Sequence, residues 1–272
     1  MTTILMHIQR DADSDERLEA ALALARACAA HLHCVHVTPI EAYSAFEGLG
    51  GVFVVGEVMD ALQQQDEETR SDLERKLSNE DVTWDFVQVT GNVAQSLIRY
   101  AALADLVVTG RESHPDSPLL STLPHFAELL FRSRTPLYIP SSGRAPSHPT
   151  AKAVIAWDGS AEAANTVRQS LTLLKKAESV EVLTAIEDGK EHRFPSTQLL
   201  KYLSRHGMHA NLQTLAAQKD EIPPTLVERA IELGGSYLLM GGYHHTRLGE
   251  YLFGGVTRTL LASSPVPLVI GR

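Results

Sequence analysis

Two stretches of the chain, Asp105–Pro140 and Ser236–Gly271, align without a gap at an offset of 131 residues. Each opens on an apolar run ending in glycine, Gly110 or Gly241, and carries a proline 26 residues later, Pro136 or Pro267. Upstream, TILMHI at 3–8 aligns with AVIAWD at 153–158, and HLHCVHVT at 31–38 with SVEVLTAI at 179–186. Repetition on this scale restricts the chain to architectures built from two copies of one unit. At roughly 100–200 residues per domain, 272 residues accommodate both copies. The boundary falls in the Pro/Ser-rich PSSGRAPSHPT at Pro140–Thr150, giving a first domain over 1–143 and a second over 151–272.

Within the second copy, short apolar runs alternate with segments of helical periodicity. AVIAW, VEVLTAI, NLQTLAA, YLLMG and PLVIG read as strands. AEAANTVRQSLTLLKKA, STQLLKYLSRHG, PPTLVERAIELGG and GVTRTLLASS read as helices, the second closing on Gly207. Alternation of this kind implies parallel strands joined by right-handed crossovers, with helices on both faces. The expected fold is α/β: two doubly wound, five-stranded parallel-sheet sandwich domains related by internal duplication. The first copy differs by an insertion, Pro39–Asp60, against Glu187–Pro195 in the second. It reads as a surface loop leading into the helix DALQQQDEETRSDLERKL, or as a lid or partner-binding element.

Composition narrows the function classes. The net charge is −9, which argues against a general nucleic-acid binder. No run reaches the roughly 18 apolar residues of a membrane span, the N-terminus lacks a signal-peptide pattern, and Cys28 and Cys34 are too few for a disulfide framework. A cytoplasmic location is therefore expected. Residues 1–145 carry 11 basic and 21 acidic residues, whereas residues 146–272 carry 13 and 12. An anionic ligand is repelled less by the second half. His31, His33 and His36 read as strand-end histidines rather than metal ligands, no catalytic set is evident, and the two cysteines read as core residues.

In doubly wound sheets, ligands bind at the carboxyl ends of the strands, where the strand order reverses. Asp158 directly follows the first strand of the second copy and can accept hydrogen bonds from a ribose hydroxyl or an adenine amine. The alternative role is an N-cap, for which Ser160 is nearer. Downstream, GGYHHTRLGEYLFGGVT at 241–257 leads into the last helix. Gly254 and Gly255 fall where that helix begins, a place whose free N–H groups favour phosphate, and Val256 and Thr257 add backbone donors and a hydroxyl.

With these residues in place, the chain resembles the universal stress protein family in its tandem form, most strongly in the second half and in Asp105–Pro140. Family members that bind ATP carry G-x2-G-x9-G-[ST]. Here Gly241 and Gly254 match, whereas His244 replaces the second glycine and Gly255 the Ser/Thr. Asp158 matches the family's acidic residue near base and ribose, and Ala185 its apolar residue ending the second strand. In the first half, Leu123, Pro124, His125 and Phe126 stand where Gly254, Gly255, Val256 and Thr257 do, and a proline has no N–H to donate. The resemblance implies stress-linked regulation, ATP (with any accompanying Mg) in the second domain only, and at most slow hydrolysis. The alternative is a nucleotide-free interaction protein in which both sites have decayed. The resemblance also implies that PLYIP and PLVIG, the strands closing each half, pair the two domains within the chain. A homodimer remains a further option, and neither nucleic acid nor membrane is an expected partner.

Overall fold

The computed structural model describes residues 1–39, 52–110, 123–141, 148–186, 195–218, 221–242 and 255–272. The first half forms β1 (Thr3–Ile8), α1 (Ser14–Cys28), β2 (His31–Pro39), α2 (Val52–Leu77), β3 (Trp84–Gly91), α3 (Val93–Ala101), β4 (Leu106–Val108), α4 (Leu123–Ser133) and β5 (Leu137–Ile139). The second forms β6 (Lys152–Ala156), α5 (Ala161–Gln169), α6 (Leu171–Leu174), β7 (Ser179–Ile186), α7 (Ser196–Arg205), β8 (Ala210–Ala216), α8 (Ile222–Glu232), β9 (Tyr237–Gly241), α9 (Gly255–Ser263) and β10 (Leu268–Gly271).

The strands make one sheet in the order β3-β2-β1-β4-β5-β10-β9-β6-β7-β8. Each half thus repeats the order third, second, first, fourth, fifth, all parallel. The two five-stranded sheets expected from the sequence are joined through PLYIP and PLVIG into one. A short apolar edge strand closes each half with unpaired backbone groups, and β5 and β10 satisfy one another by antiparallel pairing, Leu137 with Ile270, Tyr138 with Val269 and Ile139 with Leu268.

The sheet also corrects one alignment. Ile4 pairs with Leu106 as Ala153 pairs with Tyr237, so Ile4 and Ala153 are equivalent and the TILMHI–AVIAWD match slips by one residue. Both equivalents face the same core, as the two-residue side-chain period requires.

Alternate strand residues feed two cores that run through both halves. Ile4, Leu32, Tyr138, Ile155 and Val269 pack against α1, α2, α5, α6 and α7. Leu5, Val35, Ile139, Val154 and Leu268 pack against α3, α4, α8 and α9. Coverage on both faces explains the near-continuous apolar strands. The long second-half helix read from the sequence divides at Ser170 (φ −94°, ψ 10°), although Ser170 N–H still reaches the Thr166 carbonyl and Leu174 N–H that of Ser170. Helix α7 ends as expected on Gly207 (φ +79°), with Gly207 N–H on Ser204 O and Met208 N–H on Leu203 O.

Helix α2 begins at Val52, ahead of the expected Asp60, while Ile40–Gly51 of the insertion lie outside the described residues. Its buried stripe is Asp66, Thr69, Leu73 and Leu77. Asp66 is tolerated there because Thr38 Oγ1 (2.6 Å) and Gln88 Nε2 (2.9 Å) donate to its Oδ2 and His36 Nε2 lies 2.9 Å from its Oδ1. Among the described residues, no helix is long and apolar enough to cross a membrane.

Candidate functional site

Strand β6 lies between β7 and β9, and Ala156 pairs with Leu183 on one side and Met240 on the other. The chain leaves β6 toward β7 and returns to β9 on the other flank, so the order reverses here. Asp158 stands two residues past Ala156, Ala185 two past Leu183, and Gly241 one past Met240. Three of the sequence-predicted residues therefore form a row at the carboxyl ends of adjacent strands, Asp158 just beyond the end of β6 and Gly241 one register position short of Asp158.

The local chemistry of the row differs from the expectation in two places. Ser160 caps α5 as read, its hydroxyl accepting Ala163 N–H at 3.1 Å. Asp158 is exposed, but it was expected to be left unengaged by that cap; instead its Oδ1 accepts Ser160 N–H at 3.0 Å, and Gly159 turns the chain at φ +68°. Gly241 was read as a place for a ligand to approach backbone. A Cβ at Gly241 would lie 2.5 Å from Ala163 N and 2.9 Å from Glu162 C, so the glycine is already required by the first turn of α5.

Ala185 is half-buried. Gly255 opens α9, Val256 packs partly against the core beneath, and Thr257 is buried. His244 and Gly254 lie outside the described residues, as do His245 and Glu250.

The histidines of β2 have defined partners. His33 Nδ1 (2.6 Å) and His31 Nε2 (3.2 Å) share Asp85 Oδ1. Burial would raise the Asp85 carboxyl, but the hydrogen bonds and charges of His33 and then His31 outweigh it and hold the group below its ordinary value. Among the described residues, no group of three or more His, Cys, Asp or Glu side chains is arranged to hold a metal ion.

A cleft of about 500 Å³ opens in the first half between β1, α1 and α2, lined by Gln9, Arg10, Ser14, Arg17, Leu73 and Lys76 among others. In its wall the Arg17 side chain is 1% exposed and paired with Asp11. Sequence reasoning missed this pair. The signal was there in the spacing Asp11-x-Asp13, which matches Asp158-x-Ser160 ahead of each first helix.

Fold and site together define a duplicated, doubly wound α/β protein whose two units share a sheet. Residues 1–133 match the model of the Universal stress protein family. No curated relative matches the chain. The fold is similar to that of a universal stress protein from Archaeoglobus fulgidus DSM 4304, with 14% identity and TM-score 0.75 over 99% of this chain and 98% of that one. It is also similar to a functionally unknown protein from Pseudomonas aeruginosa PAO1, with 18% identity and TM-score 0.58 over 100% and 92%. The family match thus falls on the half whose glycine motif is absent: it runs from β1 through α4, whereas the motif is a few positions in one loop.

Proposed function

We propose that this chain is a stress-response regulatory protein of the universal stress type, with a degenerate first domain (1–143) and a second domain (151–272) that binds adenine nucleotide. ATP lies with its base and ribose against Asp158 and Ala185 and its phosphates along Gly241, His244, Gly254, Gly255, Val256 and Thr257. A magnesium ion accompanies the phosphates. Turnover is at most slow hydrolysis, in the cytoplasm. The observation that carries this reading is the row of Asp158, Ala185 and Gly241 at the point where the strand order reverses. An exposed carboxylate beside a half-buried alanine suits a ribose edge and a base, and the near-neutral second half suits an anion better than the acidic first.

The test is to denature purified protein and look for released adenine nucleotide by chromatography, then to titrate ATP while following thermal unfolding. Binding abolished by Gly254→Leu and untouched by Leu123→Gly is the expected result; binding that survives Gly254→Leu overturns the site. One observation favours a second reading, a nucleotide-free interaction protein. The need for glycine at 241 is met by α5 alone. No released nucleotide and no thermal shift with millimolar ATP select that reading.

A further inference from the structure

We infer that the Arg17 guanidinium is a resident ligand of the first half, occupying from within the chain the acid that the repeat presents at the head of its first helix. The inference deepens the reading that only the second half takes a nucleotide, and it rests on that reading for its functional meaning.

Both halves place the same carboxylate-to-cap hydrogen bond before that helix, on different backbones: Gly159 has φ +68° and Ser160 ψ 162°, whereas Asp13 has φ −99° and ψ 14°. Asp158 Oδ1 accepts Ser160 N–H at 3.0 Å, and Asp11 Oδ1 accepts Asp13 N–H at 3.1 Å. Ser160 and Asp13 are the N-cap positions of α5 and α1. Asp11 is therefore the counterpart of Asp158, carried further from β1 by a longer loop. Four residues beyond the cap the halves diverge, with Arg17 in one and Ala164 in the other.

Arg17 Nη1 donates to Asp11 Oδ2 at 3.0 Å, and Nη2 donates to Asp11 Oδ1 at 3.2 Å and to the Gln9 carbonyl at 2.6 Å. A planar fork on both carboxylate oxygens is a geometry that an ammonium cannot reproduce. The guanidinium lies against Gly110, where a Cβ would collide with Nη1. Gly110 is the repeat counterpart of Gly241, and the space above Gly241 is filled instead by the backbone of α5. The Arg17 Nε is buried without a partner among the described residues. The group is thus held by Asp11 and Gln9 rather than by a cage satisfying all five of its N–H bonds. A molecule entering the neighbouring cleft meets an acid whose two oxygens are already bound. In a half with 21 acidic and 11 basic residues, the site takes a cation, and the cation is supplied in cis.

The test uses the full chain. Arg17→Ala is expected to lower the melting temperature by roughly 5–15 °C, as for a broken buried pair. Millimolar methylguanidinium recovers part of that fall, and methylammonium at the same concentration does not. No recovery, or equal recovery by both ions, overturns the inference. If Arg17→Ala does not fold, arginine side-chain NMR of the unaltered protein decides. Separate, slowly exchanging Nη protons on Arg17 are expected, and a freely rotating guanidinium overturns the assignment. These readouts contain no nucleotide, so the Gly254→Leu titration can fail while this inference stands, and the reverse.

Discussion

Tyr138 pairs with Val269 across the seam between β5 and β10, and the two residues occupy the same position of the 131-residue repeat. Their neighbours pair crosswise, Leu137 with Ile270 and Ile139 with Leu268. The local twofold axis relating the halves therefore passes through this pair, and the seam is self-complementary in the manner of an isologous dimer interface.

A charge on that axis should part the halves. Val269 is fully buried, so Val269→Asp places a carboxylate in a dry seam at a cost above roughly 3 kcal/mol. Urea unfolding followed by circular dichroism should show one transition for the parent and two for the variant. Arg272 stacks over the Phe131 ring at 4.0 Å and links the C-terminus to the first half. Arg272→Ala should cost only about 0.5–1 kcal/mol.

Gly241→Ala tests the tight approach of α5. The added Cβ meets backbone at 2.5 Å, which cannot swing aside as a side chain can. Destabilisation of about 1–3 kcal/mol is expected by chemical denaturation. A neutral substitution would show that α5 shifts freely on β9.

The N-terminal strand should loosen in acid while its repeat counterpart does not. Asp105 Oδ2 accepts Thr2 N–H at 2.6 Å and Thr3 N–H at 3.1 Å. Burial alone would raise its carboxyl, but these bonds outweigh it and the group sits below its ordinary value. A depressed carboxyl stabilises above its unfolded value, near 3.9, and that contribution is lost as the pH falls through the folded value. The equivalent residue, Ser236, ties Lys152 N–H through a neutral hydroxyl at 3.2 Å. Hydrogen exchange should show β1 opening below about pH 4 before β6. Asp105→Asn should weaken β1 at neutral pH and flatten the acid dependence.

The two cysteines should be inert in the native state. Burial, followed by the charge of Asp85, pushes the Cys34 thiol up to about 12, and burial also raises Cys28. Neither should react with a disulfide reagent at pH 8 until denaturant is added, since the thiolate is the reactive form. Rapid native labelling would contradict the packing around Cys34.

The succession of strands and helices was legible because the repeat displays most strands twice, so PLYIP could be recognised through PLVIG. The fusion of the sheets was legible less directly, through the apolar edges that needed covering. The slip at β1 arose because TILMHI and AVIAWD are apolar at every shift; only their pairing with Leu106 and Tyr237 distinguishes the registers. Asp158 was found by its place after a strand, while its counterpart Asp11 was hidden by a longer loop. Gly241 looked like a ligand contact because glycine signals close approach without saying what approaches, and α5 is what arrives.

The antiparallel join at Tyr138 and Val269 has a consequence for communication within the molecule. Strands β1 to β5 and strands β6 to β10 point in opposite directions, so Asp11 and Asp158 open onto opposite rims. The width of the shared interior therefore separates the two carboxylates.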